Sequence, residues 1–120
     1  MPTIFKTVRP VFNFPMVYVH NNTTTTIPEL YFTYEGLSID SSLKKIKPNK
    51  VKSTAISIKN LINPKPLYMY FLDENNTKHD IVILENLSHT FIDSIHICAE
   101  SINEDGSLKI TSYICEKYKD

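Results

Sequence analysis

The chain has 120 residues, of which 42% are hydrophobic and 22% are charged, and these proportions exclude a globally disordered chain. Thirteen basic residues balance thirteen acidic ones, so no overall positive field attracts nucleic acid, and we expect no nucleic-acid partner. No segment approaches the roughly 20 apolar residues of a membrane span, and two cysteines are too few for a disulfide framework, so we expect one cytoplasmic domain and no membrane partner.

Residues 1–27 are predicted to form two strands and a polar loop. The strands span residues 3–8 and 14–20, and polar residues follow them. The apolar stretch that begins at Val11 is short, contains a proline and ends without a small-residue cleavage site. We therefore interpret it as a strand and not as a signal peptide.

Residues 28–115 are predicted to form the body of an immunoglobulin-like antiparallel β-sandwich. β-branched and aromatic residues gather in short segments between polar turns, and seven prolines without a helical hydrophobic period argue against helices. The whole chain is thus predicted to be a single all-β domain of seven to eight strands, with residues 116–120 as a frayed tail. The further predicted strands span residues 29–34, 51–58, 67–72, 79–84, 92–102 and 108–115, and residues 37–43 are a weaker candidate segment.

The strands at 67–72 and 79–84 are predicted to form a hairpin. Asn75 and Asn76 tolerate the positive φ that tight hairpin turns require. If they are the two loop residues, Met69 lies opposite Val82, and both faces of the hairpin are apolar.

A second hairpin is predicted around Asp105 and Gly106, a dipeptide that is favoured in two-residue type I′ turns. This loop would place Ile97 opposite Ile114. The same register would place His96 opposite Cys115 on the other face.

This second register would bring His96, Cys98 and Cys115 to one face. Two thiols and an imidazole are ligands that zinc prefers, but a closed site needs a fourth ligand, and neither His79 nor His89 is placed by the pattern. Packing of both cysteines as small hydrophobic residues is the alternative. A cysteine nucleophile would lack an oxyanion hole, because the chain has only two glycines. We therefore predict no enzyme activity, no metal and no cofactor.

Two groups of side chains are candidates for partner binding. Seven tyrosines are more than a core of this size needs, and tyrosine is enriched at interfaces. Residues 44–52 hold five lysines, which form either a contact for an acidic surface or a solvated loop. The predicted partner-binding residues are Tyr18, Tyr31, Tyr34, Tyr113, Lys44, Lys45, Lys47 and Lys50.

The segment LYMYFLDENNTKHDIVI at 67–83, preceded by IKPNK at 46–50 and an alternating strand, resembles immunoglobulin-like sandwich domains. The resemblance covers about residues 28–115. It implies the architecture alone, because the antibody pattern of Cys, Trp and Cys across two sheets is absent.

In size, in its Lys/Asn/Ile-rich composition and in its lack of a catalytic pattern, the chain also resembles small accessory proteins of phages that infect low-GC bacteria. Among these it resembles an anti-defence inhibitor of a defence-associated sirtuin. The resemblance implies one larger partner in the host cytoplasm, whose phage-sensing surface is occupied so that NAD is not depleted. The alternatives are a structural or adhesion-type sandwich of a virion or surface assembly, for which no long apolar edge is obvious, and an enzyme.

Overall fold

The computed structural model describes residues 14–59 and 61–116, which form eight strands in two four-stranded sheets. The all-β sandwich expected from the sequence is confirmed, whereas the predicted strand at 3–8 lies outside the described residues. No helix long and apolar enough to cross a membrane occurs in the described part of the chain. The strands are β1 (Met16–Asn21), β2 (Leu30–Thr33), β3 (Ser41–Leu43), β4 (Val51–Ala55), β5 (Lys65–Leu72), β6 (Lys78–Leu87), β7 (Ser94–Ile102) and β8 (Leu108–Cys115).

The two sheets differ in how their strands run. Sheet A has the order β4-β1-β7-β8, and sheet B has the order β3-β2-β5-β6. Sheet B is antiparallel, but β1 and β7 of sheet A run parallel, so the expectation of a purely antiparallel sandwich is corrected. The strand order also differs from the ABED and CFG sheets of an immunoglobulin constant domain. The resemblance therefore extends to the two-sheet architecture alone.

A single apolar layer lies between the sheets, because alternate residues of each strand point inward. From sheet A, Val17, Val19 and Ile97 enter this layer, and from sheet B, Phe32 and Met69 do so. All five side chains are almost completely buried. The intervening residues of the same strands therefore form the two outer faces of the sandwich.

The two open sides of the sandwich differ in how closely the edge strands of the two sheets approach each other. On one side β3 and β4 meet, and the hydroxyl of Ser41 donates a hydrogen bond of 2.9 Å to the carbonyl of Ala55. On the other side the edge strands are β6 and β8. There Leu108 is buried, but Ser112 and Ile114 are exposed.

The β5–β6 hairpin has a loop of three residues and not of two. The N–H of Asp73 donates to the carbonyl of Thr77, which leaves residues 74–76 as the loop, and Asn76 has a φ of 63°. A third loop residue with positive φ is typical of three-residue hairpins. Because of the extra residue, Met69 lies opposite Ile81, and the predicted pairing with Val82 is wrong.

The β7–β8 hairpin repeats this turn. The N–H of Asn103 donates to the carbonyl of Ser107, and the third loop residue, Gly106, has a φ of 92°. A bulge at Glu100 then shifts the register by one more residue. As a result Ile97 lies opposite Ser112, and the predicted pairing of Ile97 with Ile114 is wrong.

Candidate functional site

A row of aligned side chains crosses the outer face of sheet A. The pairings of β4, β1, β7 and β8 align Ser53, Tyr18, His96 and Tyr113, one from each strand. The Tyr18 and His96 ring centroids are 4.7 Å apart with planes at 7°, and those of His96 and Tyr113 are 4.8 Å apart at 5°. We call Tyr18, His96 and Tyr113 the aromatic row. Its outer end is open to solvent, since Tyr113 is 53% exposed.

A second imidazole joins this row from the neighbouring position on β1. The Nε2 atom of His20 lies 3.2 Å from Nδ1 of His96, so one imidazole donates a hydrogen bond to the other. Partial burial and the nearby His20 lower the pKa of His96. The lowered pKa favours the neutral form of His96 at pH 7.

The surroundings of the aromatic row carry no formal charge. The outward positions on the four strands alternate with the buried ones, and none of them in the three aligned rows is Asp, Glu, Lys or Arg. Glu100 and Lys109 lie at the rim, where the Glu100 carboxylate accepts a 3.2 Å hydrogen bond from the hydroxyl of Thr111. We call this surface the neutral face. Its residues are Ser53, Tyr18, His96 and Tyr113; Val51, His20, Cys98 and Thr111; and Ala55, Met16, Ser94 and Cys115.

The outer face of sheet B is built differently. Tyr31 and Tyr70 stack with centroids 5.0 Å apart, the Tyr70 hydroxyl donates a 2.7 Å hydrogen bond to Asp40, and Nζ of Lys78 lies 4.4 Å from the Tyr70 ring centroid. The hydrogen bond to Asp40, helped by partial burial, raises the pKa of Tyr70 to about 12. The stacked tyrosines of sheet B therefore lie beside charged side chains, Asp40 and Lys78.

The predicted tyrosines are therefore distributed over three places. Tyr18 and Tyr113 come together on the neutral face, whereas Tyr31 lies on the outer face of sheet B. Tyr34 is only 4% exposed, its hydroxyl donates to the carbonyl of Ser57, and burial raises its pKa. The prediction that Tyr34 binds a partner is wrong, because this side chain belongs to the core.

The predicted lysines lie in the loop between β3 and β4 and not on the neutral face. Lys44, Lys45, Lys47 and Lys50 are all exposed, and Lys44 forms a 3.7 Å ion pair with Glu29.

This loop is fixed to the fold by apolar and polar contacts. Ile46 is buried and forms a β-bridge with Ile27, and its carbonyl accepts a 2.9 Å hydrogen bond from the buried amide of Asn21. The same amide donates to the carbonyl of Thr25 at 2.8 Å. The lysines are consequently held on a defined loop. Lys45 also borders a shallow groove of about 430 Å³ floored by Phe71 and Leu108.

His96, Cys98 and Cys115 do lie on one face of sheet A, as predicted from the sequence, but His96 is not opposite Cys115. His96 lies opposite Tyr113, while Cys115 lies opposite Ser94, because the register differs from the predicted one. Among the described residues, no group of three or more His, Cys, Asp or Glu side chains is arranged to hold a metal ion. His79 instead lies 2.9 Å from Asp73 in the β5–β6 turn.

Sequence reasoning missed that His20 and His96 lie together on the neutral face. A signal was present, because every second residue of 16–20 and of 94–98 is uncharged and outward-facing. This signal becomes interpretable only when β1 is known to lie beside β7, a parallel pairing between distant parts of the chain.

Comparison with known proteins bears on the fold alone. No protein-family model matches the chain, and no curated protein is significantly similar to it. An NMR structure of a protein from Eubacterium rectale is similar, with a TM-score of 0.55 over 94% of this chain and 99% of that one. The sequence identity is 7%, so the likeness shows a shared sandwich fold.

Proposed function

We propose that the protein is a non-enzymatic binding protein that contacts another protein through the neutral face. The observation that carries the proposal is the absence of Asp, Glu, Lys and Arg from the twelve outward positions of this face. Interface cores are depleted in charged residues and enriched in tyrosine and methionine. Tyr18, Tyr113 and Met16 supply both of the enriched residue types on one flat surface.

The dimensions of the neutral face suit a protein partner. Four strands at about 4.8 Å spacing and three rows at about 6.8 Å give a surface of roughly 20 by 20 Å. This is about half of the ~800 Å² that one partner contributes to a standard interface, and the charged rim would supply the rest. A nucleic acid is disfavoured, because no lysine or arginine lies on the face to neutralise phosphates.

Within this class we propose that the partner is one larger host protein, a defence-associated sirtuin that hydrolyses NAD, and that the protein is a phage-encoded inhibitor in the bacterial cytoplasm. The size, the composition and the absence of a catalytic pattern in the sequence support this identity. The neutral face would cover the surface with which the enzyme senses a phage structural protein, and NAD would be spared without any chemistry by the inhibitor.

The experiment is co-expression of the protein with defence-associated sirtuins and their phage trigger, with cellular NAD and co-purification as readouts. The wild type is expected to keep NAD high and to co-purify with the enzyme. Tyr18→Ala and Tyr113→Ala are each expected to weaken both effects at least tenfold, since tyrosines at interface centres are frequent hot spots. Tyr31→Ala, the same change on sheet B, is the matched control.

Two outcomes distinguish an error in the partner's identity from an error in the binding surface. If no sirtuin co-purifies, but a host protein identified by mass spectrometry is lost on Tyr113→Ala and kept on Tyr31→Ala, only the identity of the partner is wrong. If Tyr18→Ala and Tyr113→Ala fold normally and retain every partner, the neutral face is not the binding surface.

One observation favours the alternative of a structural or adhesion-type sandwich. The sequence showed no obvious long apolar edge, but β8 is an eight-residue edge strand that is uncharged between Ile110 and Cys115. A structural role predicts open-ended assemblies that grow with concentration. Electron microscopy of concentrated protein would reveal them.

A further inference from the structure

The four edge strands of the sandwich are protected to different degrees. Natural edge strands are commonly kept apart by short length, inward-pointing charges, bulges or flanking charges. β3 has only three residues, β4 carries Lys52 opposite the buried Val19, and β6 has a register shift as well as the charged Lys78 and Asp80. Each of these three edges therefore has a feature that opposes pairing with another chain.

Strand β8 has none of these features over most of its length. It is eight residues long, and its only charged residue is Lys109, near its beginning. Residues 110–115 contain no proline, and in the described part of the chain β8 has a neighbouring strand on one side only.

Within residues 14–59 and 61–116, nothing fully covers the inner side of β8 either. Ile114 points toward the core side of sheet A, opposite the buried Ile95, yet it is 42% exposed. An open space of about 310 Å³ lies beside it, between β8 and β6, and is lined by Val82 and Leu84 among others. As far as the described residues show, this edge thus presents apolar side chains as well as backbone groups that face no neighbouring strand.

The direction of these backbone groups follows from the hairpin. The carbonyl of Ser107 faces β7, where it accepts a hydrogen bond from Asn103. Since the N–H and C=O of successive strand residues alternate in direction, odd-numbered residues of β8 face β7. The N–H and C=O groups of Ile110, Ser112 and Ile114 consequently lie on the open edge.

We propose that the occupant of this edge is a second copy of the chain, paired antiparallel through β8 about a two-fold axis at Ser112. In this register Ser112 lies opposite its own counterpart, and Ile110 lies opposite Ile114 of the second copy. The open-edge backbone groups then meet each other, and isoleucines from both copies fill the uncovered inner side. Registers centred on Ile110 or Ile114 pair fewer residues and place serine opposite Leu108 or Glu116.

Area and charge are both compatible with a second copy. Eight residues span about 27 Å, and across a sandwich roughly 20 Å thick such an edge buries on the order of 1,000 Å² in total, near the lower limit of specific interfaces. The net charge of zero leaves no long-range repulsion between copies. The dimer would have one continuous eight-stranded sheet on which the two neutral faces adjoin, and it forms whether or not the proposed function is correct.

Sedimentation equilibrium between about 1 and about 500 μM tests the proposal, since an interface of this size is expected to dissociate in the micromolar range. The wild type is expected to shift from monomer to dimer without larger species. Ile114→Lys is expected to weaken association at least tenfold, because in each copy it places an ammonium in the apolar contact opposite Ile110 of the other copy. Ile62→Lys, the same change at a loop residue that is 83% exposed, is the control. A wild type that stays monomeric, or an Ile114→Lys variant that associates normally, overturns the proposal.

A cross-linking experiment keeps the test decisive if Ile114→Lys does not fold. Ser112→Cys, in a background with Cys98→Ser and Cys115→Ser, is expected to form an intermolecular disulfide under mild oxidation. Directly opposed hydrogen-bonded residues lie about 5.5 Å apart at Cα, within disulfide range. Thr111→Cys in the same background is the control, because its counterpart would be about 8 Å away. Equal cross-linking of both variants overturns the register.

Hydrogen exchange distinguishes a second copy from another occupant. The amides of Ile110, Ser112 and Ile114 are expected to lose protection on dilution, while those of Thr111 and Tyr113 stay protected by β7. Concentration-independent protection of all five amides in a monomer would show that the same chain covers its own edge, and it would overturn the dimer.

Discussion

The outer faces of the two sheets carry similar aromatic side chains in different electrostatic settings. On sheet B, Tyr70 stacks on Tyr31, but its hydroxyl binds Asp40 and its ring lies under Lys78. On sheet A, Tyr18 and Tyr113 stack on the imidazole of His96 with no Asp, Glu, Lys or Arg in the three aligned rows. The comparison teaches that surface tyrosines alone do not identify a binding face. The charged groups around the tyrosines decide how much free energy is lost when a partner removes water from that face.

This difference has an energetic basis. Covering sheet B with a partner would remove water from a carboxylate and an ammonium, and each such group costs free energy unless it finds a new partner. Covering sheet A would remove water from twelve outward side chains that include no Asp, Glu, Lys or Arg, and among them His20 and His96 already share a hydrogen bond. We therefore expect the two faces to respond differently to the same substitution.

The largest expected effect is that of a charge introduced into the neutral face. Tyr113→Lys removes a ring and leaves an unpaired ammonium in the interface, so partner binding should fall at least 100-fold, about 2.7 kcal/mol. Tyr31→Lys on sheet B should change it less than threefold. Titration calorimetry with the purified partner measures both. Equal losses would contradict the assignment of binding to sheet A.

A smaller effect, on the free energy of unfolding, is expected from substitutions of His96 at the centre of the aromatic row. His96→Ala removes the stacks on Tyr18 and Tyr113 as well as the ring contact and hydrogen bond with His20, and it should lower the free energy of unfolding by about 1–2 kcal/mol. His96→Phe loses the hydrogen bond but preserves the stacks on Tyr18 and Tyr113, and it should cost less. Tyr31→Ala breaks only one stack and should lie between them. Denaturant unfolding measures all three. Indistinguishable results for His96→Ala and His96→Phe would mean that stacking does not stabilise the row.

The smallest expected effect concerns Tyr70 at alkaline pH. Its pKa in the folded protein is raised to about 12 from an ordinary 10.0, so the folded state keeps this proton while the unfolded state loses it. The hydrogen-bonded Tyr70 phenol therefore contributes fully to the stability of the folded state below pH 10, and this contribution is lost as the pH rises toward 12. Phenolate absorbance should show late titration of Tyr70 as well as of the buried Tyr34, and Asp40→Asn should move only the Tyr70 titration toward 10. A titration unchanged by Asp40→Asn would remove the hydrogen bond as the cause.

The sequence predicts the strands better than it predicts their partners. β-branched and aromatic segments mark β5 to β8 within a few residues, because alternation and turn residues are local properties. The predicted strand at 37–43 shrank to Ser41–Leu43, and the one at 51–58 ends at Ala55. Strand ends depend on tertiary pairing, which local patterns do not contain.

Both hairpin registers were wrong because each loop has three residues and not two, and in the β7–β8 hairpin the bulge at Glu100 adds a second shift. Asn76 and Gly106 were correctly recognised as residues that permit positive φ, but each is the third loop residue and not the second. One extra loop residue moves every cross-strand pair by one position. The aromatic row could not be derived for this reason, since it requires His96 opposite Tyr113 and β1 beside β7.

The parallel pairing of β1 with β7 also has a consequence for the order in which the chain folds. Sheet B is built from β2, β3, β5 and β6, all of which precede β7 in the chain, so a ribosome delivers this sheet complete while β1 still lacks its inner neighbour. Closing such a long loop costs entropy before any contact is gained, and folds rich in distant pairings fold in milliseconds to seconds. We expect β1 to dock last with β4, after residues 94–99 have emerged, so that the neutral face is the final surface of the protein to be assembled.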